Sequence, residues 1–397
     1  MRLRRFAGAA LGTRSAPVAV AAQPCATMLE LARSGPAPLA LRRMPPSAPL
    51  SIAAVIPSFR RGSGGHATIA RLLQGLRGLG HSVSVWLEDS ERRHAREAGA
   101  VTERSFREFF PADGLEFHAD LESWSGADVA LATGWQTAAR VLLLAGCGAR
   151  AYLVQDHEPD FYGASAEAVW ARETYRRGLH CIAASAWLAE LLRTRYGARA
   201  THFDLAVDHA VYRPLAPDRP PEPDDNLVVF YARVVTPRRA VPLGLLALAE
   251  LARRRPELRI ALYGEDRLIE APFAHSQLGV LDDRALAELY SRATVGMVLS
   301  LTNPSLIGLE MMACGLPCVE LASDSMIDTF GPDGPLELAE PDPLALCDAI
   351  ASLLDDPARR AQVSQAGLRM MSARTWARAA GQLEQGLRTA ASEAQES

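Results

Sequence analysis

The chain has 397 residues, too many for one ordinary hydrophobic core and suited to two domains. Its apolar fraction of 49% and charged fraction of 22% are those of a folded globular protein, which excludes a largely disordered chain. A formal net charge of -4 excludes the basic excess that sequence-independent nucleic-acid binding needs, and no run reaches the ~20 continuous apolar residues of a membrane-spanning helix.

Residues 1–50 place Arg2, Arg4 and Arg5 ahead of an Ala-, Pro- and Gly-rich stretch whose apolar runs are repeatedly broken. They are expected to form a disordered leader, since a signal peptide would need a longer apolar core. The six cysteines, at 25, 147, 181, 314, 318 and 347, form no CxxC pair and no cluster with histidine. Reduced thiols in a cytoplasmic protein without metal or cofactor are the expectation.

Ordered structure is expected from a buried-strand run at 51–57, closed by Pro57 and followed by a loop carrying Gly62, Gly64 and Gly65. Ile69, Leu72, Leu73, Leu76 and Leu79 then recur at helical spacing up to Gly80, and a strand follows at 83–87. The alternation continues with a strand at 128–132, a helix from 136, a strand at 151–154, a helix at 164–176 and a strand at 181–184. Such alternation predicts a parallel sheet covered on both faces, hence a Rossmann-like domain over 51–212. Five prolines among mixed charges between 212 and 225 predict a linker at 213–226. The pattern then restarts: a strand at 227–231, a helix at 239–254, a strand at 258–263, a helix from 282 and a strand at 295–299. A second Rossmann-like domain over 227–372 is expected, followed within 373–397 by a C-terminal helix to about 387 and a polar tail.

Open parallel sheets bind ligands at the carboxyl ends of their strands, which selects the candidate residues. After 295–299, Ser305 is a natural N-cap, leaving the first N–H groups from Leu306 onward free to hold a diphosphate. Gly308 keeps that turn slim, and Glu310 is the lone charge in an apolar helix. Taken by itself, Glu310 also fits a carboxylate that merely favours the helix dipole. In the first domain, the glycines at 62, 64 and 65 have neither the G-x-G-x-x-G spacing nor the P-loop Lys-Ser/Thr pair, so alone they mean a tight turn. Asp156, His157 and Glu158 follow the strand at 151–154, where a carboxylate could orient an acceptor hydroxyl; a metal reading of this trio lacks a fourth ligand. Trp135 and Tyr162 suit either sugar stacking or core packing.

The string Pro304-Ser305 through Leu309-Glu310-Met311-Met312-Ala313-Cys314-Gly315-Leu316-Pro317 resembles the donor-site helix of glycosyltransferase family 4 and its retaining GT-B relatives. That resemblance implies that Glu310 holds the nucleotide ribose. Tyr231-Ala232-Arg233, followed by Pro237-Arg238-Arg239, resembles the family's glycine-arginine loop with its later basic residue, implying that Arg233 and Arg238 hold the diphosphate. Gly64-Gly65-His66, Thr133-Gly134-Trp135-Gln136, Gln155-Asp156-His157-Glu158 and Glu173-Thr174-Tyr175 resemble the rhamnosyltransferases of bacterial surface and S-layer glycan synthesis.

What the resemblance implies is a GT-B fold of two Rossmann-like domains facing a cleft, and retaining, metal-independent sugar transfer. It also implies dTDP-L-rhamnose as nucleotide-sugar donor and a saccharide or lipid-linked saccharide acceptor, the latter with peripheral contact at the inner membrane. His66, Asp156 and Glu158 fall on the sugar and acceptor side with Glu310 as the fourth catalytic candidate. Gly64, Gly65, Gly264, Ser305 and Leu306 join Arg233, Arg238 and Glu310 on the donor side, and Trp135 and Tyr162 on the acceptor side. Two positions depart from the pattern. Thr302 stands where many relatives carry a glutamate eight residues before the helix glutamate, and Val280 stands where a lysine is expected after Leu278-Gly279. Both departures would also suit a non-catalytic nucleotide-sugar or glycan-binding protein; a nucleotide-sugar epimerase is the other alternative.

Overall fold

The computed structural model describes residues 22–41, 45, 47–214 and 226–396. A helix, α1 (Ala22–Ser34), precedes the first domain. That domain runs β1 (Ser51–Pro57), α2 (Gly64–Gly78), β2 (Ser82–Glu88), α3 (Gly99–Phe109), β3 (Glu116–His118), β4 (Ala127–Ala132), α4 (Trp135–Leu143), β5 (Cys147–Val154), α5 (Ala166–Thr174), β6 (His180–Ala183), α6 (Ala186–Tyr196) and β7 (Ala200–His202). Its seven strands are parallel and ordered β3-β2-β1-β4-β5-β6-β7. The chain therefore reverses its direction across the sheet between β1 and β4, which opens a crevice at their carboxyl ends. The central strand β1 is apolar from Ile52 to Pro57 because helices bury both faces.

The second domain runs β8 (Leu227–Tyr231), α7 (Val241–Arg254), β9 (Arg259–Tyr263), β10 (Ser276–Gln277), α8 (Asp283–Arg292), β11 (Val295–Met297), α9 (Leu306–Ala313), β12 (Cys318–Leu321), α10 (Asp324–Phe330) and β13 (Glu337–Ala339). Its six parallel strands are ordered β10-β9-β8-β11-β12-β13, with the same reversal between β8 and β11. Three helices follow: α11 (Pro343–Asp355), α12 (Pro357–Ser372) and α13 (Trp376–Glu396). Among the described residues no helix is long and apolar enough to cross a membrane. The five cysteines whose side chains are described are buried and unpaired.

The structure differs from the sequence reading at both ends. Part of the expected disordered leader is α1, which buries Leu31 in the core beneath α4. The segment after it is pinned by two backbone bonds, Ala37 N–H to Leu142 at 2.9 Å and Ala40 N–H to Cys147 at 2.8 Å. The rest of the leader, 1–21 with 42–44 and 46, lies outside the described residues, as does most of the expected linker, 215–225. At the other end, no polar tail follows residue 387, because α13 continues to Glu396 and packs back across the first domain. Glu393, within the expected tail, contacts His180 at 3.0 Å, and Glu384 on the same helix lies 3.2 Å from His81. Close approach needs small residues at the crossing. A Cβ on Gly75 would sit 2.4 Å from that of Ala380, and one on Gly386 only 2.8 Å from Ile182.

Candidate functional site

The two sheets turn their carboxyl ends toward each other, and the loops after β5 and β11 touch. On the second-domain side, the Ser305 hydroxyl accepts the N–H of Ile307 at 3.3 Å, so Ser305 does cap α9. The opening N–H groups of a helix lack intrahelical partners, and here they face the crevice edge of the sheet. A Cβ on Gly308 would meet Val298 at 3.4 Å, an ordinary contact, so packing does not require glycine there.

Glu310 is the most unusual group in this half. Its Oε2 is buried and has no hydrogen-bond partner among the described residues. Burial, reinforced by the nearby Asp283 carboxylate and opposed by Arg71, pushes its pKa up to about 8. Arg71 is occupied elsewhere, 3.0 Å from Asp208 and 3.9 Å from Asp283. Leaving a buried acceptor unpaired costs about 1–3 kcal/mol, which a ligand hydroxyl would recover.

The basic loop after β8 separates two neighbouring arginines. Arg239 is buried and donates to the hydroxyl of Ser300, whose N–H donates to Glu320 at 2.7 Å; it holds the sheet edge together. Arg238 instead reaches the first domain. Its guanidinium lies 4.2 Å over the ring of Phe161, and its Nε is 3.3 Å from Asp156. Burial lowers its pKa while the Asp156 carboxylate counteracts the shift. Arg233 is half-exposed on the same loop. Gly264 has φ +93, and a Cβ there would meet Tyr231 at 2.4 Å, so glycine is required by the backbone and by that ring. Val280 is 54% exposed and supplies no cation.

On the first-domain side, Gly64 and Gly65 open α2. A Cβ on Gly65 would sit 3.5 Å from the Gln155 amide, and Gly64 has open space. His66 Nε2 donates to the Pro57 carbonyl at 3.2 Å, so its Nδ1 accepts from the Ser63 hydroxyl at 2.8 Å. Burial lowers its pKa to about 4, which keeps the imidazole neutral near pH 7.

Asp156, His157 and Glu158 diverge, so they do not form one ligand set. Asp156 faces the second domain: its Oδ2 accepts the Thr302 hydroxyl and its Oδ1 the Asn303 N–H, both at 3.0 Å. His157 contacts Tyr196 and Asp160, each at 2.6 Å. Glu158 turns inward, accepting the Trp135 N–H at 2.7 Å and the Tyr152 hydroxyl at 2.8 Å. Burial raises its pKa to about 7. With both oxygens engaged inside the fold, Glu158 caps α4 and does not reach an acceptor. Trp135 is 3% exposed and donates its indole N–H to the half-buried Tyr162 at 3.0 Å, so burial removes Trp135 as a stacking platform. Sequence reasoning missed Asn303, Ser185 and Phe161, although an Asn-Pro step directly after a buried strand was a visible signal.

Two family models match this chain: the WsaF C-terminal domain over residues 226–350 and the WsaF N-terminal domain over 122–185. Among solved structures, sucrose-phosphate synthase from Thermosynechococcus elongatus superposes with a TM-score of 0.61 at 18% identity, covering 85% of this chain and 98% of that one. Anabaena Alr3699/HepE in complex with UDP-glucose gives 0.61 at 15% identity, covering 87% and 100%. The fold is GT-B. A curated relative, the O-antigen biosynthesis protein RfbC of Myxococcus xanthus, is 32% identical over 264 residues, or 65% of this chain. The GT-B chain described here matches only 20% of that relative's length. Both family matches include residues of the contact between the domains: Asp156 and Ser185 lie in one, and Arg238 and Asn303 in the other.

Proposed function

We propose that this chain is a retaining, metal-independent glycosyltransferase of bacterial surface glycan synthesis, moving L-rhamnose from dTDP-L-rhamnose onto a saccharide or lipid-linked saccharide at the cytoplasmic face of the membrane. The observation that carries the reading is the orphaned, buried carboxyl of Glu310 on the helix that begins at Ser305. A ribose hydroxyl can donate to Oε2, and the diphosphate can then lie at the N-terminus of α9 beside Arg233 and Arg238. The relative named for O-antigen biosynthesis and the neighbour solved with UDP-glucose support the substrate classes. The choice of rhamnose rests on the resemblance of the N-terminal motifs.

As the bond from the anomeric carbon to the diphosphate breaks, negative charge grows on the leaving oxygen and positive charge on the sugar ring. The α9 dipole and Arg238 lower the energy of the first, the Asp156 carboxylate favours the second, and no covalent nucleophile is needed. With Glu158 turned into the core, the acceptor hydroxyl is left to pass its proton to the departing phosphate oxygen on the same face, which retains configuration. His66, neutral and held by Pro57 and Ser63, shapes the sugar side without carrying charge.

The test is a donor screen by mass spectrometry with dTDP-rhamnose, UDP-glucose and UDP-N-acetylglucosamine, with and without a lipid-linked acceptor. Turnover of dTDP-rhamnose that disappears in Glu310→Ala is expected. Nucleotide binding without turnover of any donor would make the chain a binding protein, and an epimer formed without acceptor would make it an epimerase.

A further inference from the structure

We propose that Asn303 is an interdomain pin: a positioning residue that holds the N-terminus of the donor helix against the acceptor-side strand ends. This rests on the transferase reading above for its kinetic consequence and on geometry alone for its structural one.

Asn303 belongs to the second domain, two residues before the cap of α9, yet each of its hydrogen bonds goes to the first domain. Its backbone N–H donates to Asp156 Oδ1 at 3.0 Å. Its amide Nδ2 donates to the carbonyls of Gln155 at 3.1 Å and Ala184 at 3.4 Å, and its Oδ1 accepts the Ser185 hydroxyl at 2.9 Å. The side chain thus uses both donors and its acceptor on the loops after β5 and β6. Only an amide offers that combination: leucine has no donor, and aspartate would set a carboxylate against two carbonyls. At 1% exposure the residue is shielded from water, so each bond lost leaves a buried group unpaired.

Two neighbours extend the pin. Thr302 donates its hydroxyl to Asp156, and its own carbonyl accepts the Ser325 hydroxyl at 2.5 Å, which ties the same loop to α10. Arg238 reaches Asp156 from the loop after β8. Thr302 therefore stands where a glutamate is common in the resembling family, and here that position serves contact between the domains. A glutamate at 302 would bring a second carboxylate against Asp156, so threonine at 302 and aspartate at 156 suit each other.

Transfer depends on sub-ångström placement of the acceptor against the anomeric carbon, and a misplacement of about 1 Å costs on the order of 100-fold in rate. In the transferase reading above, by contrast, the ribose and diphosphate partners Glu310, the start of α9, Arg233 and Arg238 all belong to the second domain. Loss of the pin should therefore separate the two. The experiment compares wild type, Asn303→Asp, Asn303→Leu and the milder Ser185→Ala by small-angle scattering, by calorimetric titration with dTDP and UDP, and by steady-state transfer. Expected are a larger radius of gyration for the two Asn303 variants, nucleotide Kd within about 3-fold of wild type, and kcat lower by 10- to 100-fold. Ser185→Ala removes the cap of α6 as well as the Asn303 bond but keeps the Asn303 amide in place, and is expected to fold and show the same split to a smaller degree. An unchanged radius of gyration in all variants would overturn the pin, whether or not any donor turns over. So would kcat and nucleotide Kd that worsen in parallel. If wild type transfers no sugar, the transferase reading fails and the scattering result alone decides the pin.

Discussion

Glu158 accepts the backbone N–H of Trp135 at 2.7 Å and so caps α4 from a loop 23 residues further along the chain. The bond fixes Trp135 at the first turn, where its indole meets Tyr162 and tilts 34° against Trp170. Trp135→Ala should therefore cost about 3–5 kcal/mol of stability through lost packing. Glu158→Ala strands the Trp135 N–H and the Tyr152 hydroxyl, at about 1–3 kcal/mol for each group left unpaired. In both variants nucleotide affinity should stay within about 2-fold, because neither side chain reaches the donor half. Urea melts and calorimetric titration check this, and a Kd that collapses while the fold survives would return both residues to the binding surface.

Glu310→Ala should weaken dTDP or UDP binding by about 10-fold or more, since it removes the buried carboxyl that a ribose hydroxyl would pair with, a bond worth about 1–3 kcal/mol. Its stability should rise or hold, since the substitution removes a buried acceptor that has no partner in the free chain. Titration and thermal melts of the same samples separate the two effects.

Arg238→Ala and Arg239→Ala should behave oppositely despite adjacent positions. Arg238→Ala should lose at least 10-fold in nucleotide affinity, most strongly at low salt, where screening is weakest. Arg239→Ala should leave Ser300 and the buried Glu320 without their cation and lower Tm by several degrees, with a smaller effect on affinity. Equal losses of affinity in both would mean that the loop binds as one unit.

The pH dependence follows from three carboxyls whose pKa values are raised: Glu310 to about 8, Glu158 and Glu320 to about 7, each chiefly by burial. Where the folded pKa lies above the unfolded one, the folded state holds protons that the unfolded state releases, so stability falls as pH rises through the folded pKa. Their contribution to Tm should fall from about pH 4.5 up to about pH 8, and Glu310→Gln should flatten the last part of that fall, between about pH 7 and 8. His66 acts in the opposite sense and offsets part of the carboxyl effect below pH 6.5. Its lowered pKa, about 4, removes stability as pH drops from 6.5 toward 4. A wild-type Tm that is flat from pH 6.5 to 8, together with no difference between wild type and Glu310→Gln there, would contradict the burial of these carboxyls.

Gly386→Val should unseat α13 from the first domain, because even a Cβ would lie 2.8 Å from Ile182 and Thr201. A loss of about 2–4 kcal/mol is expected from overpacking, larger than for Gly381→Val on the same helix, where the space is open apart from the lower helix propensity of valine. Denaturant unfolding of the pair checks the helix's register.

The sequence by itself determined the repeated strand–helix alternation, the cap at Ser305 and the isolation of Glu310 in an apolar helix, because periodicity and capping are written in residues a few positions apart. It also brought Arg233 and Arg238 to the strand ends where a diphosphate could lie. Tertiary structure alone decided which of the neighbouring polar residues face the cleft. Arg238 and Arg239 look alike in the chain, as do Asp156 and Glu158, and each pair splits between cleft and core according to partners up to 147 residues away. Asn303 gives the plainest case: beside a proline it reads as a turn residue, and only the approach of β5 and β6 supplies the two carbonyls and the hydroxyl that an amide satisfies. Local propensity cannot encode such a choice, since hydrogen-bond satisfaction depends on groups that folding brings together.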